Sequence, residues 1–275
     1  MKIAALQMVS TPDVDRNLAA AGRLIAQAAD AGADLVALPE YFCLMGRRDT
    51  DKLALAEAPG EGPIQRFLQQ AAREHALVLI GGTLPMKTPD PARVRNTCCV
   101  YGPDGALVAR YDKLHLFRYD NGRERYDEGA VLEAGDAPVA ATLPMPGGQS
   151  LRAGLSVCYD LRFPELYRAM SFAPGAGPCD LLSVPAAFTY PTGQAHWELL
   201  LRARAVENQC YVIAPAQGGT HENGRRTWGH SMVVDPWGEV LALQPEGEGV
   251  VMAEMDMDRL AAVRQQLPAL SHRRL

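Results

Sequence analysis

Apolar and polar positions along the 275 residues follow two periods. Short continuous apolar runs, bounded by glycine, proline or charged residues, predict strands covered on both faces. They are "KIAALQM", "DLVALPEYF" ending at Pro39, "LVLIGGTL", "RAGLSVCYD", "CDLLSVPAAF" and "CYVIAPAQ". Between them lie segments of helical period. In "TPDVDRNLAAAGRLIAQAADAG", Leu18, Ala21, Ile25 and Ala28 share one face. Thr11 is expected to cap that helix, Pro12 to suit its first turn and Gly32 to stop it. "GPIQRFLQQAAREHA" and "AHWELLLRARAVENQ" predict two more helices, and a shorter one runs through Leu166, Ala169 and Met170. "NTCCVYGPDGALVARYDK" reads as a hairpin turned by Pro103, Asp104 and Gly105.

The order of these words repeats. "CDLLSVPAAF" echoes "ADLVALPEYF", "CYVIAPAQ" stands where "LVLIGGTL" stood, and "VVDPWGEVLAL" echoes "VYGPDGALVAR". The pattern predicts two half-domains of related topology packed on one another within a single domain, residues 1–275. Strands apolar on both sides then imply an α/β fold of two stacked mixed sheets with helices outside, a four-layer α-β-β-α sandwich. One doubly wound sheet is the alternative.

Composition narrows the function classes. A net charge of −5 gives no electrostatic reason to expect nucleic acid or an anionic membrane as partner. No apolar run approaches the length of a membrane span, and "MKIAALQMVS" lacks the features of a signal peptide, so the expected location is cytoplasmic. The six cysteines (Cys43, Cys98, Cys99, Cys158, Cys179 and Cys210) form no disulfide framework in a chain this long. There is no CxxC pair and no metal-ligand spacing among the histidines, nor a phosphate-binding or dinucleotide-binding loop; no metal and no cofactor is expected.

Three strand ends carry candidate chemistry, and strand ends are where open α/β folds place it. Glu40 follows the proline that breaks "ALPEYF", where the echoing segment has Ala186. A carboxylate in an apolar hexapeptide needs a partner or a task, and a salt bridge would serve as well as catalysis. Lys113 in "RYDKLHLF" stands after a strand and, taken alone, reads as a lysine reaching for solvent. Cys158 ends the strand of "GLSVCYDLRFPE" and, taken alone, reads as a small core residue. Together the three fit one mechanism: a carboxylate takes the thiol proton, sulfur attacks carbon, and the ammonium stabilises the oxyanion.

Glu40 in "LPEYF", Lys113 in "YDKLHLF" and Cys158 in "CYDLRFPE" resemble the Glu-Lys-Cys triad of the nitrilase superfamily, the carbon–nitrogen hydrolases. The resemblance spans almost the whole chain and keeps the family's order. It implies the α-β-β-α sandwich and a homodimer or larger assembly formed through the helical faces. It makes Glu40 the general base, Cys158 the nucleophile that forms a thioester, and Lys113 with the backbone N–H of Tyr159 the oxyanion donors. It also implies a second glutamate, between the lysine and the cysteine, that lies near the lysine and orients substrate. Glu128 fits best, since Gly135 and Asp136 follow at family-like spacing, with Glu124 and Glu133 as rivals.

"GQAHWELLLRARAVENQCYV", "WGHSMVVDPWGEV" and "AQGGTHENGRRTWGHS" resemble the branch containing omega-amidases and deaminated-glutathione amidases. The resemblance implies a small-molecule amide bearing carboxylates as partner, with deaminated glutathione hydrolysed to 2-oxoglutarate and Cys-Gly. An omega-amidase on 2-oxoglutaramate, another aliphatic amidase, carbamoylase or nitrilase, and a silent binding scaffold are the alternatives. Arg162 is expected to touch substrate, or else to pair with Glu165. His196 and Trp197 open the predicted helix and are expected to shape the pocket, unless Trp197 fills the core. Arg123, Arg125, Arg225 and Arg226 read as solvated loop residues.

Overall fold

The computed structural model describes residues 1–122 and 125–274. Its strands form two large mixed sheets. The first contains β1 (Lys2–Gln7), β2 (Leu35–Ala37), β3 (Val78–Ile80), β4 (Leu84–Lys87), β5 (Val94–Tyr101), β6 (Leu107–Asp112) and the late strand β17 (Gly249–Glu254). A two-stranded ribbon, β7 (Arg118–Asp120) with β8 (Arg125–Asp127), follows. The second sheet contains β9 (Val139–Pro144), β10 (Ser150–Leu155), β11 (Leu181–Ser183), β12 (Tyr211–Ala214), β15 (Ser231–Val234) and β16 (Val240–Gln244). Strands β13 (Gly218–Thr220) and β14 (Arg226–Trp228) make a second ribbon.

The two sheets share one topology. β1, β2 and β3 run parallel, flanked by antiparallel β17 beside β1 and antiparallel β5 beside β3, with β6 next to β5. β10, β11 and β12 run parallel, flanked by antiparallel β9 beside β10 and antiparallel β15 beside β12, with β16 next to β15. The predicted repeat is therefore real at the level of strand order. The sandwich also holds, and the single doubly wound sheet is ruled out.

Period-two alternation places each residue in a layer. Along β1, Ile3 and Ala5 enter the core between the sheets, while Ala4 and Leu6 face the helices outside. Leu35 and Ala37 alternate with Val36 in the same way along β2. With both faces covered, such a strand reads as an unbroken apolar run. Helices α1 (Val14–Asp30) and α3 (Pro63–Glu74) cover the first sheet through Leu24, Ile25 and Leu68. Helices α4 (Pro164–Ser171) and α5 (Tyr190–Asn208) cover the second through Met170, Trp197 and Leu201. A short helix α2 (Asp51–Ala54) and a terminal helix α6 (Met257–Gln266) complete the set. Among the described residues no helix is long and apolar enough to cross a membrane.

Three local expectations shift. Asp13 caps α1, accepting the Arg16 N–H at 3.1 Å. Thr11, expected in that role, instead holds the Asn17 amide oxygen through its own N–H at 2.8 Å, so Pro12 precedes the helix. "LVLIGGTL" splits into β3 and β4 because Gly82 takes a φ of +56° and passes so near Pro39 that a Cβ would lie 2.2 Å from its carbonyl oxygen. Helix α5 starts at Tyr190, ahead of its apolar stripe. Pro191 suits a first turn, and Gly193 abuts Trp228, where a Cβ would come within 2.2 Å of the indole side chain.

Candidate active site

Glu40 lies three residues past the end of β2, beyond the proline break, and is 1% exposed. Its Oε1 accepts from Asn96 Nδ2 at 2.8 Å and from Lys113 Nζ at 2.9 Å; its Oε2 accepts from the Ala187 N–H at 3.0 Å. Lys113 lies one residue past β6. Its N–H donates to the Asn96 carbonyl at 3.0 Å, and its own carbonyl accepts the Gly135 N–H at 2.9 Å. Gly135 is glycine for a steric reason, since a Cβ there would sit 2.1 Å from the Asp112 oxygen. The buried ammonium also donates to both Glu128 oxygens, at 3.0 and 2.8 Å. Glu128 accepts in addition from the Tyr41 hydroxyl and from the Phe117 N–H, each at 2.7 Å.

Cys158 stands three residues past β10, at the head of a tight 3-10 turn, Cys158–Arg162. Its φ of +52° is left-handed, a conformation that costs a non-glycine residue about 1–3 kcal/mol and persists only where surroundings enforce it. Asp160 enforces it. The buried carboxylate accepts from the Val157 N–H (2.8 Å), the Tyr111 hydroxyl (2.7 Å) and the His115 N–H (3.0 Å), and pairs with His115 Nδ1 (2.7 Å). Tyr111 and His115 flank Lys113 on the other sheet's chain. Asp160 thus fastens the cysteine turn to the lysine segment. Among the described residues no acceptor pairs with the Tyr159 N–H, which opens onto the same turn.

Burial works against every charge here, and the hydrogen bonds decide which charges persist. Burial raises the Glu40 carboxyl above the usual range, although Lys113 pulls it down. The Lys113 ammonium, disfavoured by burial, is held well above its ordinary value by Glu128 and Glu40. Glu128 ends below its ordinary value, because Lys113, the Phe117 N–H and the Tyr41 hydroxyl outweigh its burial. Burial, and then the Glu40 charge, push the Cys158 thiol well above its usual range. The resting sulfur is therefore a thiol and needs a base, and Glu40 is the carboxylate it faces. Cys43 and Cys99 are also pushed up to about 12, chiefly by burial, and sit in the α-helical layer of the core.

The cleft above these groups holds about 580 Å³ counted out to solvent, and Glu40, Tyr41, Glu128 and Cys158 are part of its lining. A second lobe of about 220 Å³ adjoins Cys158 on the side of Tyr159, Arg162, Phe188 and Thr192. Arg162 reaches the lobe and lies over the Tyr159 and Phe188 rings; its guanidinium meets His196 Nδ1 at 3.3 Å rather than Glu165. His196 and Trp197 do not line either space. His196 is exposed in the second turn of α5. Trp197 is core, packed on Phe188, with Nε1 donating to the His230 carbonyl at 2.8 Å.

Of the rivals to Glu128, Glu133 faces Arg95 at 2.8 Å and has no part in the cluster, while Glu124 and Arg123 lie outside the described residues. Arg225 and Arg226, read from sequence as solvated, line the cleft; Arg125 is exposed as expected. Sequence reasoning missed Tyr41, Asn96, Lys52 and the bracing by Asp160. Asn96 stands between Arg95 and Thr97 in β5 and gives no local signal that sets it apart. Among the described residues no group of three or more His, Cys, Asp or Glu side chains is arranged to hold a metal.

The profile of carbon-nitrogen hydrolases matches residues 2–265. A deaminated glutathione amidase from Synechocystis is 44% identical over 98% of this chain and 97% of its own length. Omega-amidase NIT2 from Xenopus tropicalis is 38% identical over 99% of this chain and 95% of its own. The solved structure of Saccharomyces cerevisiae Nit3, a member of branch 10 of the nitrilase superfamily, superposes with a TM-score of 0.86 at 30% identity, covering 100% of this chain and 97% of that one. Fold and kinship agree: the chain belongs to the carbon–nitrogen hydrolases of the nitrilase superfamily, as an amidase that splits carbon–nitrogen bonds other than peptide bonds.

Proposed function

We propose that Cys158 is the nucleophile, Glu40 the general base and acid, Lys113 and the Tyr159 N–H the oxyanion donors, and Glu128 the group that holds Lys113 in place. The observation that carries this is the Lys113 ammonium bridging Glu40 and Glu128 beside the only cysteine that lines the described cleft. Glu40 takes the thiol proton as sulfur attacks the amide carbon. The oxygen of the tetrahedral adduct gains negative charge beside the ammonium and the free N–H. Glu40 returns the proton to the leaving nitrogen as the C–N bond breaks, leaving a thioester. Water, deprotonated by Glu40, attacks that thioester; the thiolate leaves, recovers the proton, and the acid is released.

The substrate proposed is deaminated glutathione, hydrolysed to 2-oxoglutarate and Cys-Gly. Two lobes flank Cys158, one to seat an acyl chain and one for a leaving group of some size. Ammonia, the leaving group from 2-oxoglutaramate, needs no second lobe. Arg162 in that lobe offers a cation to a carboxylate-bearing leaving group. Steady-state rates on deaminated glutathione, 2-oxoglutaramate, pentanamide and simple nitriles test the choice. The highest kcat/KM is expected on deaminated glutathione. An equal or higher value on 2-oxoglutaramate would make the protein an omega-amidase, and turnover of nitriles alone would remove both.

The catalytic unit proposed is the whole of residues 1–275, since one apolar core joins both sheets. It acts as a homodimer or larger assembly: α5 presents Leu199 (68% exposed) and Val206 outward, near Trp237 on the loop against which Val206 packs. A single species of monomer mass in sedimentation equilibrium would refute that. The six free thiols suit a reducing cytoplasm.

A further inference from the structure

Lys52 has no part in the chemistry above, yet it is buried and lines the same cleft as Cys158 and Glu128. It projects from α2, the one-turn helix that follows the Glu40 segment. Among the described residues its ammonium makes one hydrogen bond, a long one of 3.5 Å to Asp49 Oδ1, and lies 4.7 Å from the centre of the Tyr41 ring. The same Asp49 oxygen accepts from Arg225 Nη2 at 2.9 Å. One carboxylate, itself 43% exposed, thus divides its charge between two cations on one wall. Arg225 also lies over the Tyr126 ring, and both Tyr41 and Tyr126 line the cleft.

A structural lysine is a poor explanation for this wall. Partly exposed ion pairs of this length contribute little, and an apolar residue would fill the site without the cost of desolvating an ammonium. Burial indeed depresses the Lys52 amine, and Asp49 only partly restores it. Asp49 is shared between two cations on this wall, and the Glu128 charge also acts on Lys52, in a space open to a small molecule. A second carboxylate placed between the two cations would accept from both.

We infer that Lys52 and Arg225 form a carboxylate-binding subsite that selects acyl groups ending in a carboxylate, with Asp49 holding the two cations apart until such a group arrives. This rests on the amidase reading above. The acyl half is the part assigned to this wall because it remains on sulfur while the leaving group departs. Lys52 is buried and lines the first space, whereas Tyr159 and Arg162, and not Lys52, line the second lobe beside Cys158.

The test compares two amides of one chain length, glutaramate with its terminal carboxylate and neutral pentanamide. The ratio of their kcat/KM values is measured for the wild-type protein, Lys52→Met and Arg225→Gln. The wild type is expected to favour glutaramate, and each variant to lower that ratio by about 30-fold, mostly through KM, as loss of one partner of a buried charge pair does. Lys52→Arg is expected to recover part of the preference. A ratio that stays within about twofold of wild type in both variants overturns the subsite, as does an equal fall on both amides. Calorimetry with glutarate judges it without turnover: binding to wild type and about 30-fold weaker binding to Lys52→Met is expected. Absence of glutarate binding to the wild type refutes the subsite. Absence of turnover on any amide, with glutarate still bound, refutes the catalytic reading and leaves the subsite standing.

Discussion

The two half-repeats share a strand order and divide the chemistry between them. β2 and β11 are equivalent in register, and three residues beyond them stand Glu40 and Ala186. β1 and β10 are equivalent too: Ala5 and Leu155 hold matching places in the two registers, and three residues beyond them stand Met8 and Cys158. One residue beyond β6 is Lys113; one beyond β16 is Pro245. At each matched pair only one half carries a reactive group. The other half fills the place with an apolar or inert residue, or helps through backbone: the amide of Ala187, next to Ala186, donates to Glu40. A duplicated frame gives two sets of strand ends that converge on one cleft, and a single set of reactive side chains spread over both is enough.

This division can be broken position by position. The largest effect is expected at the Met8 and Cys158 pair. Cys158→Ala should lower kcat by at least about 10⁴-fold with the circular dichroism spectrum retained. Met8→Ala, at the equivalent buried place, should instead cost about 2–5 kcal/mol of stability in urea unfolding. Glu40→Gln should lower kcat by about 10²–10⁴-fold, because the amide cannot take the thiol proton.

Asp160→Asn tests the brace between halves. It turns one buried acceptor toward donors and should cost about 1–3 kcal/mol in thermal unfolding. kcat is expected to fall more than KM rises, since the nucleophile loses position while the cleft keeps its lining. The smallest effect concerns pH. With Glu40 as the proposed base, activity requires its carboxylate form; burial raises its pKa above the ordinary 4.5, so the rate is expected to be full above the raised value and lost as pH falls through it. Asn96→Ala removes a hydrogen bond to the charged form and should move the acid edge of kcat/KM to still higher pH. An edge that stays in place separates Asn96 from the base.

Strand ends were the legible part of the site. Pro39, the doubly apolar runs and the turn after Cys158 mark where the chain leaves each sheet, and those marks are local. Tyr41 and Asn96 were not legible, because their partners lie 87 and 56 residues away and only the tertiary meeting gives them meaning; Lys52 pairs locally with Asp49, but Arg225, which shares that oxygen, lies 176 residues from Asp49. Lys52 in "DTDKLALA" looks like a solvated charge, and Arg225 looks like a loop arginine, until both face one Asp49 oxygen inside the cleft. Trp197 erred in the other direction: it shares a helix with the cleft wall, but the helical period turns its ring to the core. Thr11 lost its cap because the Asn17 side chain, one helical turn in, took its amide.

Whether Glu40 and Cys158, one from each half, work as one base-and-nucleophile unit is measured most directly by a double-mutant cycle on kcat/KM: wild type, Cys158→Ala, Glu40→Gln and the double variant, with one amide substrate. Groups acting as a unit lose their effect together, so the double variant is expected to be no slower than Cys158→Ala alone, within about threefold. Losses that multiply, with the double variant slower by the full Glu40→Gln factor again, would show two independent contributions and contradict the pairing.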